Sequence, residues 1–362
     1  MALPEILKVH GLDLSYFTGK LEAYLRGKKI PYELIEMDTR DFRQCGKATG
    51  VAQMPQVEWT GGQWLSDTTL IIEFLENMLP GSTIMPTCPA MKFMAQLLED
   101  FGDEWLWRPA LYYRWANAAD ARLMSHRLAK GMLRDVPAPF FMRRWAILNR
   151  QRFHFLWLDG VRPGNAKRVE EHYLETLDVL EIILRNHPFI LGQRPTLADY
   201  GLYGSMFRHF FCDPTPAGIM RTRAPAVHEW VARMWNLDLK DHAATGFEQE
   251  CHPEMQALLQ IVCKEFIPYM QANEQAHVQG RKTFRFNSAG SQFKLPAQRY
   301  RAWRYQRLCM RYQALDEAAR SKLARWAPEL GELLGKPIVS VILPRIESLP
   351  IKQATTVAGR AW

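Results

Sequence analysis

The chain has no apolar run approaching eighteen residues, no C-x-x-C pair, no low-complexity tract and no internal repeat. Each absence removes a class of protein. Without a long apolar run there is no candidate for a membrane-spanning helix. The six cysteines, Cys45, Cys88, Cys212, Cys251, Cys263 and Cys309, are scattered, which argues against a zinc site or a redox dithiol and suits a reducing compartment. The opening residues MALPEILKVHGLDLSYF lack the basic head, apolar stretch and small-residue cleavage site of a secretory leader, so a cytoplasmic address is expected.

What is present suits a globular protein. A chain of 362 residues with 48% hydrophobic content is long enough for two cores and an added segment. The net charge of +8 is concentrated in one place: residues 281–325 hold twelve Arg or Lys against Asp316 and Glu317. That local excess of ten leaves the rest slightly acidic, so a nucleic-acid reading is confined to the tail and is not favoured for the chain as a whole.

Apolar spacing divides the chain into three. EILKVH and YELIEM read as strands flanking a helical KLEAYLRGKKI, a strand-helix-strand unit whose crossover implies parallel strands. PQVEW, a Gly61-Gly62 turn and residues 63–65 give two more strands, and a helix from Thr68 to Glu76 closes a unit spanning 1–82. Residues 90–240 show only helical periodicity, with a capping signal at Thr196-Leu-Ala-Asp199. Residues 241–362 read as a mainly helical extension, with a hairpin around Asn287–Gly290 and a long basic helix pair.

Three local features suit a small charged peptide. Proline tolerates a cis bond, and a cis Met54-Pro55 would turn the Met54 amide and carbonyl outward beside a strand; an ordinary edge-strand proline is the plainer reading. Asp67 and Thr68 open a helix, where free amides favour a carboxylate and the Asp side chain can take an ammonium; a simple N-cap is the alternative. Ser15 stands at the turn into the first helix, where its hydroxyl and the helix-start amides favour a thiolate over a thiol, or where it merely caps.

Taken together, the spacing resembles the glutathione transferase superfamily in its bacterial form with serine at the active turn. The matching residues are Ser15-Tyr16-Phe17 with Lys20, Lys29-Ile30-Pro31-Tyr32-Glu33, Gln53-Met54-Pro55, Asp67-Thr68 through Leu75, and Phe189–Gly192 followed by Pro195–Tyr200. The resemblance covers about residues 5–235. It implies a thioredoxin-like domain followed by an all-helical one, with glutathione as co-substrate, an electrophile in the cleft, a detoxification role and a homodimer. By position, Ser15 would stabilise the glutathione thiolate, with Tyr16 as a competing hydroxyl. Phe17, Gln53, Met54, Pro55, Asp67 and Thr68 would hold the peptide. Gln53 stands where a lysine is usual, which removes a charge from the glycine end of the site.

The second substrate is expected against Trp105, Tyr112 and Tyr113, whose rings suit an apolar or aromatic electrophile, or which simply pack in the core. His126, His154, His172, His187, His209 and His228 have no acidic or cysteine partner at ligand spacing, so no metal is expected. In the tail, Arg304, Arg307 and Arg311 form one helical stripe beside Tyr305, Leu308, Tyr312 and Leu315. This reads as a solvated basic face on a helix that packs by its apolar side. The leading function is glutathione transfer to an apolar or aromatic electrophile. The alternative is a non-catalytic scaffold of the same fold, binding a partner through its C-terminal extension.

Overall fold

A computed structural model describes residues 3–79 and 81–353. The outer limits of the expected 1–82 and 241–362 segments therefore fall partly outside the described residues. The first unit runs β1 (Leu7–Gly11), α1 (Tyr16–Gly27), β2 (Tyr32–Glu36), α2 (Thr39–Thr49), β3 (Gln56–Glu58), β4 (Trp64–Ser66) and α3 (Thr68–Met78). Its sheet order is β2-β1-β3-β4, with β1 and β2 parallel and the other pairs antiparallel. This is the thioredoxin-like arrangement. α2 has no counterpart in the periodicity because it is almost wholly polar. Its ends are set instead by Asp38, which accepts from the Arg40 and Asp41 amides, and by Gly50 at φ 78°.

The helical unit follows as α4 (Pro89–Trp105), α5 (Trp107–Ala116), α6 (Ala118–Lys130), α7 (Phe140–Asn149), a π-helical stretch (Arg150–Phe155) running into α8 (Leu156–Leu158), and α9 (Ala166–Asn186). Then come α10 (Leu197–Ser205), α11 (Pro214–Arg223) and α12 (Pro225–Trp235). The capping box forms as expected: Asp199 Oδ2 accepts the Thr196 amide at 2.8 Å. α4 and α10 lie very close because two glycines meet there. A Cβ on Gly102 would sit 2.5 Å from the Gly201 carbonyl, and one on Gly201 would sit 2.4 Å from the Glu99 Cα.

The last third comprises α13 (Met255–Ile261), α14 (Ile267–Val278), a β5 (Thr283–Ser288) and β6 (Ser291–Pro296) hairpin, α15 (Arg299–Gln313), α16 (Glu317–Trp326) and α17 (Leu330–Leu334). The hairpin turns at Ala289 and Gly290, both at positive φ, and its strands alternate buried and exposed residues. This segment is no appendage. α4 is buried on nearly every side because α10 covers one face and α15 another.

That packing corrects the reading of the basic tail. The arginine face of α15 is turned inward: Arg304, 1% exposed, pairs with Asp100 and approaches Glu99 at 3.6 Å. Arg301 Nε meets Glu104 Oε2 at 3.0 Å, and Arg307 and Arg311 both grip Glu73 of α3. From the other side, Lys20 Nζ of α1 reaches Glu99 and Asp103 at 2.7 Å each. A buried carboxyl without a partner is costly, so the acidic row of α4 requires cations, and α1 and α15 supply them. The apolar stripe of Tyr305, Leu308 and Tyr312 is buried as expected, but in addition to the basic stripe and not instead of it.

Candidate functional site

The turn into α1 is built by capping and by one long-range arginine. Ser15 Oγ accepts the Thr18 amide at 3.3 Å, making Ser15 the N-cap of α1 and leaving its own proton free to donate. Arg114 of α5 fixes the turn from below: Nη1 donates to the Leu14 carbonyl at 2.8 Å while Nε holds Asp213 at 2.7 Å. No sequence signal singled out Arg114, since its partners lie about a hundred residues away on either side.

Across from the turn, the Met54-Pro55 bond is cis. Met54 is half-buried, and among the described residues its amide and carbonyl have no hydrogen-bond partner, so the main-chain edge stands open beside β3. Its side chain leans on Leu12, Met37 and Cys45. Burial, with Asp41 nearby, pushes the Cys45 thiol up to about 12 and keeps it neutral. Gln53 Nε2 is used internally, donating to Ser66 Oγ at 3.0 Å.

The helix-mouth end differs. Asp67, at φ 73°, caps α3 by accepting the Thr69 and Leu70 amides at 3.1 and 3.3 Å through Oδ1. Its other oxygen, Oδ2, accepts the Tyr300 hydroxyl at 2.8 Å. Trp303 and Ile342 of the extension pack with Leu70 over the same helix end. As a result Asp67 is only 7% exposed and Thr68 is buried. The extension also clamps β4, where Trp64 and Ile351 exchange amide-carbonyl bonds at 2.8 and 2.7 Å.

The aromatic candidates separate. Tyr16 does not face the turn: it is buried, and its hydroxyl donates to the Gly102 carbonyl. Trp105 is buried against His172, Tyr269 and Phe286, and Tyr113 against Tyr173 and Phe210. Tyr112 is half-buried and donates to Glu170 at 2.7 Å. Among the described residues none of these three makes a ring contact or hydrogen bond with Ser15, Tyr16 or Phe17. The ring beside the turn is Trp107, stacked on Phe17 with centroids 5.8 Å apart and edge-on to Tyr16. Its helical-wheel position does not distinguish it from its neighbours; the short break between α4 and α5 does.

The histidine reading needs one correction. His187 and His252 stack at 3.9 Å and converge on Glu254 Oε2 at 3.4 and 3.1 Å, a grouping that sequence spacing hid. His10, Asp41 and Cys45 form a second such group.

A thioredoxin-like sheet with a serine-capped first helix and a cis-proline edge, followed by a capping-box helical unit, defines a two-domain fold. Residues 9–83 match the N-terminal domain of glutathione S-transferases, and residues 151–238 match their C-terminal domain. These two segments carry the N- and C-terminal domains of the glutathione transferase superfamily.

Among solved structures it is similar to the β-etherase LigF of Sphingobium sp. strain SYK-6, at 19% identity over 66% of this chain and 98% of that one, TM-score 0.46. A glutathione S-transferase of Rhodospirillum rubrum F11 is similar at 16% identity over 68% and 96%, TM-score 0.43. One of Methylobacterium radiotolerans JCM 2831, solved with glutathione sulfonate, is similar at 16% over 68% and 98%, TM-score 0.40. No curated protein matches the sequence. The two domains support glutathione-related transferase chemistry in general terms.

Proposed function

We propose that this chain is a superfamily member whose γ-glutamyl subsite is permanently occupied by its own C-terminal extension, so that it works as a non-conjugating scaffold of the glutathione transferase fold. The observation that carries this reading is the Tyr300 hydroxyl on Asp67 Oδ2. An ammonium group arriving at Asp67 would have to displace that phenol. Tyr300 in turn is held by a helix whose arginines are buried among carboxyls, so moving it would strand several charges. Gln53 spends one amide N–H on Ser66 and brings no charge to the glycine end.

A second reading is favoured by a different observation. The thiol end is intact, with the Met54 main chain open at the cis-proline turn and the Ser15 hydroxyl free to donate. On this reading glutathione binds in a register that does without Asp67. The Ser15 hydroxyl and the α1 amides favour its thiolate, and Phe17 and Trp107 receive an apolar or aromatic electrophile. Glutathione-affinity retention followed by thiol consumption over a panel of aromatic and alkyl electrophiles separates the two. The scaffold reading requires neither retention nor turnover. Turnover that disappears in Ser15→Ala would replace it with the second.

A further inference from the structure

Residues 140–158 form one helical ridge of 19 positions, α7 through α8, roughly 28 Å long. Its outward side is unlike the rest of the surface. Phe141 is 71% exposed, Trp145 68%, Phe153 75% and Trp157 59%, with Met142 beside them. These rings recur at four- and eight-residue intervals. The π turn at Arg150–Phe155, wider than an α turn, keeps the second pair in line with the first. Buried Ile147 and Leu156 anchor the ridge from the opposite side.

The ridge is also basic. Between residues 121 and 158 there are eight Arg or Lys and a single acid, Asp135. Asp135 is turned away, accepting the Thr39 and Arg40 amides and the Thr39 hydroxyl at the start of α2. Arg127 and Arg134 are paired with Asp13 and Asp38. Among the described residues Arg143, Arg144 and Arg152 have no carboxylate partner: they donate to the Leu133 carbonyl, the Ser125 hydroxyl and the Trp115 carbonyl. On α6, packed alongside, Arg122 and Lys130 are exposed, as is Leu123.

We propose that this ridge is a membrane-surface binding site that rests on an anionic bilayer, with its aromatic rings at the headgroup level and its arginines on the lipid phosphates. Exposed Trp and Phe in line with uncompensated cations are what an interfacial helix presents. A second copy of the chain fits less well, because a two-fold contact would set the same arginines against each other. Nucleic acid also fits less well, since the rings stand along a helix and do not line a groove that tracks a strand. Binding at this ridge needs nothing from Ser15, Met54 or Asp67.

The test is co-sedimentation of the full chain with phosphatidylcholine vesicles and with vesicles containing about one-third phosphatidylglycerol, at about 0.1 M salt. Binding to the anionic vesicles is expected to exceed binding to the neutral ones at least tenfold. Trp145→Ser combined with Phe153→Ser and Trp157→Ser is expected to lower it at least tenfold with the melting temperature kept. Arg122→Gln combined with Lys130→Gln is expected to lower only the anionic component. The proposal is overturned if neither vesicle is bound, or if the aromatic variant binds as well as the parent. It is also overturned if those aromatic residues instead drive self-association in sizing experiments, or binding to a single-stranded oligonucleotide, with vesicles failing to compete.

Discussion

The Tyr300 hydroxyl lies 2.8 Å from Asp67 Oδ2, joining the first domain to the extension across 233 residues at the carboxylate proposed above as the γ-glutamyl subsite. Tyr300→Phe removes this donor and keeps the ring. It is expected to cost about 1 kcal/mol of stability while exposing one carboxylate oxygen. Glutathione binding measured by titration calorimetry should therefore be stronger in the variant than in the parent. Equal affinity in both would mean that the phenol does not guard the subsite.

Arg304 is the cation on which the acidic row of α4 depends from the extension side. Arg304→Met preserves bulk but strands Asp100, while Glu99 keeps Lys20 at 2.7 Å, and should cost about 3–5 kcal/mol in urea unfolding. Adding Asp100→Asn to that variant should restore part of the loss, since the amide needs no counter-ion. If the double variant is weaker than the single, the pairing is not the source of the effect.

Four carboxyls on α4 face three cations, Lys20, Arg301 and Arg304. Burial, with Glu99 beside it, raises Asp103 to about 7 despite Lys20. Glu99, though burial works against ionisation, is held down to about 2 by Lys20 and Arg304. A carboxyl whose folded value is raised binds a proton that the unfolded chain has already released. Its contribution is full below about pH 4 and declines as pH rises toward 7. Glu99 has the opposite sign, and its contribution falls as pH drops from about 4.5 toward 2. At neutral pH, Asp103→Asn should be tolerated and should flatten the pH 4–7 slope, whereas Glu99→Gln should be strongly destabilising. Equal costs for the two would refute this assignment of charge.

The α4–α10 contact admits no side chain at Gly102 or Gly201. Gly102→Ala would push on backbone, not on a movable side-chain tip. It should therefore cost about 1–3 kcal/mol, even though alanine is the better helix former. A melting temperature equal to the parent's would show that the helices can separate freely.

The parts of this protein that were legible in its sequence are those set by short-range rules. The β1-α1-β2 unit follows from strand and helix periodicity, α10 from Thr196 and Asp199, and the hairpin from the turn at Asn287–Gly290. The spacing of Ser15, Met54-Pro55 and Asp67 was legible, and the structure makes the Met54-Pro55 bond cis and sets Ser15 and Asp67 as helix caps. What surrounds them was not. Tyr300, Arg114 and Trp107 carry no local signal, because their roles arise only when distant segments meet. The arginine stripe of α15 was visible, but its direction was not, since a helix with two non-apolar and apolar stripes does not declare which one meets solvent. α4 supplied the missing half of that information in Glu99, Asp100, Asp103 and Glu104, a cluster too acidic for a buried helix unless cations were waiting for it.

The dependence of α4 on α15 also imposes an order on biosynthesis. Some two hundred residues separate Asp100 from Arg304, which at roughly 5–20 residues per second is on the order of ten to forty seconds of translation. Throughout that interval Glu99 and Asp103 already have Lys20, whereas Asp100 and Glu104 lack the arginines that pair with them in the finished fold, so that part of the α4 surface is expected to stay hydrated until the last helices emerge from the ribosome. The fold is thus completed from its far end backwards.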